Sequence, residues 1–259
     1  MEDPDSWCRR HGFESRIDKW EEQYDNASPF PHLVIDNFLP LDLAEEMETS
    51  FPSLDEQVWK DHGSHYVVSG GVACKYELGH KASFPASITR AFDSYLFHQH
   101  FIKFVEHITK IGDLQIDGDF IGSTRSGGLN AVKNGGMLIR HADFNFSNDL
   151  QLYRAVNVLV YLNKGWSVSD GGNLDLWDGA LQGPPTTVVA GFNRCLVFAT
   201  NSLTYHGYNE VHGDQVRKSL NLYFFTKTPA LNVEAVPHKT KWKPVDAEEK
   251  DRADSAPDI

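Results

Sequence analysis

The chain has 259 residues, 41% of them apolar and 12% aromatic, and its 36 acidic against 24 basic residues give a formal net charge of −12. This apolar content is ample for one domain with a large core. A strongly acidic protein repels phosphate backbones and the sequence has no basic cluster, so nucleic acid is excluded as the expected partner. Cys8, Cys74 and Cys195 form no CxxC pair, which argues against a zinc site or a disulfide framework.

No part of the sequence resembles a targeting or membrane segment. The N-terminus is acidic and lacks the apolar stretch of a signal peptide, and no apolar run approaches membrane-spanning length. Free thiols are typical of reducing compartments. We therefore expect no membrane association and a cytoplasmic location.

The first half of the chain reads as an extension followed by helical support. Residues 1–28 are polar and mixed in charge, and we interpret them as an N-terminal extension. Residues 29–40 contain the strand-like HLVIDNF between prolines, and Asp42 is a candidate cap for the helix that follows. Apolar residues at a spacing of four predict one or two more helices after Pro85. We expect this helical support, about 42–112, to pack outside a barrel, with residues 52–82 irregular apart from a β-like HYVVSGGVAC.

The second half changes to short strands separated by glycine turns. Eight segments from about 119 to 228 are plausible strands; they are DFIGS, GGLNAV, MLIRHADF, AVNVLVYLN, GNLDLWD, TTVVA, RCLVFAT and KSLNLYFFT. This pattern predicts a mainly β fold with flanking helices, a double-stranded β-helix of the jelly-roll or cupin type. We draw the domain at 29–244, with its β-barrel core at about 119–228, and we expect the acidic tail 245–259 to be disordered.

A candidate metal site lies in MLIRHADF. Residues i and i+2 of a strand point to the same face, so the His141 imidazole and the Asp143 carboxylate can converge on one point. His206, in SLTYHGYNE, is the candidate for a second histidine from a neighbouring strand. Two histidines and one carboxylate form the facial triad of non-haem Fe(II) oxygenases. His212 is a rival for the distal position, but the Tyr-His-Gly setting after the strand CLVFAT favours His206.

A candidate anion site opens the last strand. Arg217 and Ser219 lie on the same face of RKSLNLYFF, so together they can hold a carboxylate. The alternative is that Arg217 is a structural ion-pair partner. A guanidinium at the edge of an apolar barrel strand needs an anion in either case.

His-x-Asp, a distal His and Arg-x-Ser in a late strand, in this order, resemble the Fe(II)/2-oxoglutarate-dependent dioxygenase superfamily. YLNKGW followed by GG-x-L-x-L resembles its prolyl-4-hydroxylase-like branch. The resemblance runs from about Pro29 to about Pro244. It implies a double-stranded β-helix that uses Fe(II), 2-oxoglutarate and O2, with ascorbate as the reductant in vitro.

The resemblance also implies roles for individual residues. His141, Asp143 and His206 would be the metal ligands and catalytic centre, while Arg217 and Ser219 would bind the distal carboxylate of 2-oxoglutarate. The Tyr161 hydroxyl would help to bind that carboxylate, or Tyr161 is a core tyrosine with a satisfied hydroxyl; the two interpretations stay open.

Further polar residues are candidates for contact with substrate. Asn130 and Asn145 are candidate substrate contacts, and loop histidines His62, His65 and His80 are candidates for the rim. His98, His100 and His107 lie in a helical segment and are interpreted as core or surface residues.

The expected activity is oxidation of an unactivated C–H bond, with release of succinate and CO2. Related halogenases have a small residue in place of Asp143, so a carboxylate there favours hydroxylation. We expect a small-molecule substrate such as an amino acid or a natural-product intermediate. A protein prolyl or side-chain hydroxylase is the first alternative, and a non-catalytic ligand-binding barrel is the second.

Overall fold

The computed structural model describes residues 1–56, 59–61, 72–118, 126–230 and 234–243. Most of its helices precede the long strands. Those of the described residues are α1 Pro4–His11, α2 Ile17–Asp25, α3 Leu41–Thr49, α4 Ala86–Arg90 and α5 Gln99–Thr109, with a π-helical turn at Ala91–Leu96 and 3-10 turns at Lys81–Ser83 and Val168–Asp170. None of the described helices is long and apolar enough to cross a bilayer.

The described strands join into one strongly curled sheet. They are β1 His32–Ile35, β2 Lys60–Asp61, β3 Val72–Leu78, β4 Gly127–Ala142, β5 Phe146–Ser147, β6 Leu152–Tyr161, β7 Leu174–Trp177, β8 Thr186–Val188, β9 Arg194–Ala199, β10 Tyr205–Tyr208, β11 Arg217–Thr226 and β12 Lys241–Trp242. The main path runs β1-β9-β6-β11-β4-β10-β7-β8, while β3 and β12 pair with β4. All of the pairings are antiparallel.

Strand β4 passes from one half of the barrel to the other. Its first part pairs with β11, whereas its second part pairs with β10. Against β3 the register jumps between Val132 and Met137, so residues 133–136 bulge out of the ladder. Such bulges bend a strand and increase its twist. The result is the predicted double-stranded β-helix with helices packed outside, and the fold-class prediction is confirmed.

Strand β6 buries both of its faces along most of its length, and each face belongs to a different core. Along β6, Val156, Val158 and Val160 pack against the helices, whereas Leu159 and Tyr161 face the barrel interior. This alternation follows from the two-residue period of a strand. The same parity applies to β3, where Tyr76 and Leu78 pack towards the helices, and to β11. Residues between these positions therefore point into the barrel.

The N-terminal residues are part of the helix-side core, although we expected 1–28 to be an extension. Trp7 on α1 is fully buried, and its indole N–H donates to the Phe38 carbonyl. Its ring lies edge-on to Phe13 and Tyr95. The segment is mostly polar, so its composition does not reveal the few large side chains that pack against the core. The helix-side core therefore includes residues before 29.

Several element boundaries differ from expectation. GGLNAV and MLIRHADF form one strand, β4, because the bulge absorbs the glycines between them. Helix α3 begins at Leu41, so Asp42 lies inside its first turn and bonds the Leu43 amide instead of capping. Strand β3, Val72–Leu78, overlaps the end of the β-like HYVVSGGVAC and continues beyond it. The predicted strand at 119–123, the tail 245–259, His62 and His65 lie outside the described residues.

Candidate active site

The three predicted metal ligands meet inside the barrel. His141 and Asp143 come from the end of β4 and the turn after it, and His206 lies on β10, directly opposite His141 in the ladder. Nε2 of His141 and Nε2 of His206 each lie 3.6 Å from an Asp143 oxygen. One ligand atom from each residue falls within 4.8 Å of the others, and all three side chains are buried. This arrangement is suited to binding a metal ion on one face.

Backbone carbonyls orient both imidazoles. Nδ1 of His141 lies 2.8 Å from the Ile139 carbonyl, and Nδ1 of His206 lies 3.0 Å from the Thr204 carbonyl. A carbonyl can only accept, so each Nδ1 carries a proton and each Nε2 is the atom that faces the metal position. Burial lowers the pKa of His206 to about 4, with His141 adding to the effect, so His206 is neutral at pH 7. Both rings are thus ready to act as ligands.

Asp143 is held from behind by two residues of β6. Arg154 Nη2 lies 3.0 Å from Oδ2, and Asn157 Nδ2 donates to the same oxygen at 2.8 Å. Arg154 also bonds the Asn157 amide oxygen and stacks on Tyr223, 3.6 Å from the ring centre. Burial would raise the pKa of Asp143, but Arg154 and the two histidines bring it well below its usual range. The carboxylate is therefore ionised and fixed, with Oδ1 left for a metal.

Replacing Arg154 with methionine is expected to shift metal binding to higher pH. Without the guanidinium the pKa of Asp143 rises, so protonation competes with metal at less acidic pH. Affinity for Co(II), titrated between about pH 5 and 8, should fall about 10- to 100-fold at the acidic end. Arg194→Met, at an exposed ion pair with Asp36, is the control. An unchanged affinity profile would show that Arg154 does not tune the carboxylate.

Arg217 is a buried cation without a carboxylate partner among the described residues. It begins β11, is 4% exposed, and donates through Nε to the Gly172 carbonyl. Its guanidinium lies 4.5 Å from the ring centre of Tyr208 and 5.0 Å from that of Tyr161. Burying an unpaired charge destabilises the folded protein by roughly several kcal/mol unless an anion compensates it. This part of the barrel is therefore suited to an anionic ligand.

Orphaned polar atoms surround the same cation. The hydroxyls of Tyr161 and Tyr208 and Oδ1 of Asn130 are buried and lack hydrogen-bond partners in the described part of the chain. Burial raises the pKa of Tyr161 to about 12, so it stays a neutral donor. Ser219 lies beside both Asn130 and Tyr161 in the ladder. Of the two interpretations of Tyr161, the satisfied core hydroxyl does not match this environment.

Two other predicted candidates lie apart from this cluster. Both amide hydrogens of Asn145 are used by the Glu234 and Val236 carbonyls, so its side chain holds residues 234–238 in place rather than offering a free donor to substrate. His212 is exposed, away from the triad. The helical histidines, interpreted as core or surface residues, each lie beside a carboxylate; they are His98 with Asp5, His100 with Glu14 and His107 with Glu21.

Sequence reasoning missed four residues at the site, namely Arg154, Asn157, Tyr208 and Trp242. Arg154 and Asn157 carried a usable signal, because two polar residues within an apolar β6 strand are costly unless they bind something. The strand parity that singled out Tyr161 also places Asn157 inside the barrel. Tyr208 and Trp242 lie on strands too short to be recognised by periodicity.

The donor set fits the cofactors that the resemblance implies. Two imidazoles and a carboxylate match Fe(II), which prefers this set with open positions. The unpaired guanidinium and the orphaned hydroxyls match the distal carboxylate of 2-oxoglutarate. Both groups of residues face the same barrel interior.

Comparison with known proteins identifies the class. Residues 127–225 match the 2OG-Fe(II) oxygenase superfamily. No curated protein matches the sequence significantly.

Similar solved structures include two prolyl hydroxylases. That of Trichoplax adhaerens, in complex with a peptide of the hypoxia inducible factor oxygen degradation domain, has 18% identity and a TM-score of 0.62, covering 85% of this chain and 93% of that one. The prolyl-4-hydroxylase of Pseudomonas putida has 17% identity and a TM-score of 0.56, covering 80% and 98%.

A third similar structure is HygX from Streptomyces hygroscopicus with nickel, 2-oxoglutarate and hygromycin B bound. It has 14% identity and a TM-score of 0.55, covering 90% of this chain and 98% of that one. At these identities the three structures show a shared fold. The family match covers residues 127–225, from β4 to β11, and together with this shared fold it supports an oxygenase of the kind that uses Fe(II), 2-oxoglutarate and O2.

Proposed function

We propose that this oxygenase hydroxylates an unactivated C–H bond of a small polar molecule, such as an amino acid or a natural-product intermediate. The observation that carries the proposal is the pairing, inside one barrel, of the His141–Asp143–His206 triad with the unpaired guanidinium of Arg217. The first can hold the metal and the second can hold the dicarboxylate. Neither is needed to stabilise a barrel, and each is costly without its ligand.

The residues divide the work in a way that the geometry supports. His141, His206 and Oδ1 of Asp143 would hold Fe(II). Arg217 would anchor the distal carboxylate of 2-oxoglutarate, with the Tyr161 hydroxyl as a further donor. Bound iron supplies the oxidation, in which 2-oxoglutarate and O2 give succinate, CO2 and a hydroxylated product.

The protein's own residues prepare this chemistry. The Nδ1–H bonds to the Ile139 and Thr204 carbonyls keep both Nε2 atoms aimed at Asp143. The barrel walls bury the site, which limits side reactions with water. With three protein ligands on one face, positions remain for a chelating co-substrate and O2.

The polar lining of the barrel interior supports a polar substrate. Lys75 and Glu77 on β3 form an ion pair and, by strand parity, point inwards. Asn221 and Tyr223 on β11 face the same space and are bonded to each other. A polar ligand can bond to the remaining donors and acceptors of these paired groups, whereas an apolar ligand would only desolvate them.

A protein side-chain hydroxylase is the second candidate. The specific observation in its favour is the likeness to the Trichoplax adhaerens prolyl hydroxylase, which was solved with a peptide, whereas HygX was solved with hygromycin B. Fold likeness alone does not select between these substrate classes.

The test is succinate formation from 2-oxoglutarate with Fe(II), ascorbate and air, comparing the wild type with His141→Ala. Separate reactions receive pooled amino acids, pooled small metabolites or pooled prolyl peptides. We expect succinate that depends on His141 and rises with an amino-acid or metabolite pool. A rise with the peptides alone would replace the small-molecule proposal with the protein-hydroxylase candidate. Succinate formation that is the same in His141→Ala would contradict the assigned site.

A further inference from the structure

The segment of residues 234–243 follows the family-matched region and borders the metal site. Within it, β12 pairs with the end of β4, so that Trp242 lies opposite His141 and Lys241 opposite Ala142. The Lys243 amide donates to the Arg140 carbonyl at 2.8 Å, and Arg140 Nε donates to the Lys243 carbonyl at 3.0 Å. The segment thus adds a strand to the β4 edge beside a metal ligand.

Asn145 fastens the start of this segment. Its Nδ2 donates to the Glu234 carbonyl at 2.7 Å and to the Val236 carbonyl at 3.0 Å, while its Oδ1 accepts from the His238 amide at 2.7 Å. The Asn145 amide also donates to the His238 carbonyl. One side chain, two residues after Asp143, therefore satisfies three backbone groups of the segment.

The Glu234 carboxylate ties the segment to the loop that carries the other histidine. It accepts from the Ser202 hydroxyl at 2.9 Å and from Lys241 Nζ at 2.9 Å. Ser202 lies in the loop ahead of β10, close in sequence to Thr204, whose carbonyl orients His206. The segment consequently bridges the two chain regions that supply the histidine ligands.

Trp242 is the residue through which segment 234–243 contacts the metal-ligand residue His141. The centroid of its indole ring lies 4.9 Å from the centroid of the His141 imidazole, and the two ring planes make an angle of 40°. The hydrogen bond from Nδ1 to Ile139 fixes one ring atom but leaves the imidazole able to rock about that bond. A large, rigid ring opposite it in the ladder restricts this motion, as cross-strand aromatic pairs do.

We propose that Trp242 is a positioning residue for the metal centre. Its indole holds the His141 imidazole so that Nε2 stays aimed at Asp143 and His206. Residues 234–243 thereby contribute to the geometry of the metal site. Partners that orient a metal-bound histidine typically change metal affinity about 10- to 100-fold when they are removed. The proposal is independent of the substrate.

The test measures metal binding by the full-length chain without 2-oxoglutarate or substrate. Co(II) is titrated into the wild type, Trp242→Ala and Trp242→Phe, and both the dissociation constant and the visible absorption spectrum are recorded. We expect Trp242→Ala to weaken binding about 10- to 100-fold with an altered spectrum, and Trp242→Phe to stay within a few fold of wild type. Val236→Ala, at a 75% exposed position of the same segment, should match the wild type.

Two further measurements separate positioning from folding. Thermal unfolding of the metal-free variants shows whether Trp242→Ala is folded at the assay temperature; if it is not, Trp242→Leu, which retains apolar bulk, takes its place. Asn145→Ala, which frees the start of the segment and leaves Trp242 intact, should weaken Co(II) in the same direction. A folded Trp242→Ala or Trp242→Leu that binds Co(II) with wild-type affinity and spectrum would overturn the proposal. Failure to form succinate with any substrate pool would not bear on it.

Discussion

Replacing Asp143 with alanine is expected to abolish both metal binding and succinate formation. Asp143 is the carboxylate of the triad, and its removal leaves two imidazoles with no negative charge to balance a divalent ion. Loss of a group that merely orients a ligand costs about 10- to 100-fold in affinity, so loss of the ligand itself should cost at least ~100-fold. Co(II) titration and succinate release from 2-oxoglutarate are the two measurements.

The result needs a carboxylate control from the same sheet. Asp175 lies on β7, next to the strand of His206, but its neighbours Leu174 and Leu176 face the barrel, so its own side chain points away and bonds Thr187. Asp175→Asn should bind Co(II) as the wild type does. Full activity in Asp143→Ala would show that the triad is misassigned.

Replacing Arg217 with alanine should raise the 2-oxoglutarate requirement strongly while sparing metal binding. The variant removes a buried cation that has no carboxylate partner among the described residues and that lies near the orphaned hydroxyls of Tyr161 and Tyr208. A hydrogen bond to a charged group contributes about 1.5–3 kcal/mol, which corresponds to roughly 10- to 150-fold in the half-saturating 2-oxoglutarate concentration. Steady-state succinate formation at varied 2-oxoglutarate measures this, and Co(II) titration reports the metal site.

Arg194→Ala is the matched control for that change. Arg194 begins β9 as Arg217 begins β11, but it pairs with Asp36 at the surface. Its loss should leave the 2-oxoglutarate requirement unchanged, since exposed ion pairs contribute little. An unchanged requirement in Arg217→Ala would move the carboxylate anchor elsewhere in the barrel.

The two kinds of variant report on different halves of the site. If Asp143→Ala loses metal while Arg217→Ala keeps it, the metal and the dicarboxylate subsites are separable, as the geometry implies. Arg154→Met, like Asp143→Ala, reports on the metal subsite, and it acts through the charge on Asp143. Trp242→Ala belongs there as well, but it acts through the orientation of His141 rather than through charge.

Local sequence was sufficient for features that depend on short spacing. The two-residue strand period placed His141 and Asp143 on one face, and the same period placed Arg217 and Ser219 together. The Tyr-His-Gly setting directly after the strand CLVFAT was sufficient to favour His206 over His212. Alternating apolar strands after a helical first half were sufficient to predict the double-stranded β-helix.

Other features depend on contacts between residues far apart in sequence, so no local pattern contains them. Trp7 docks the N-terminal helix on a core made by later residues, and its polar neighbours hide this. Whether the Tyr161 hydroxyl was satisfied could be decided only when its surroundings were visible.

The chemistry of this protein was determined by its sequence, and the precision of the site by its tertiary structure. Residue types and strand parity specify which groups can bind a metal and a dicarboxylate. The type of a residue and the strand face on which it lies both depend on the local sequence alone. The pairing of Trp242 with His141 spans about a hundred residues and depends on a two-residue strand. Such a strand has no periodicity of its own, so only the folded sheet edge that it joins decides where it lies.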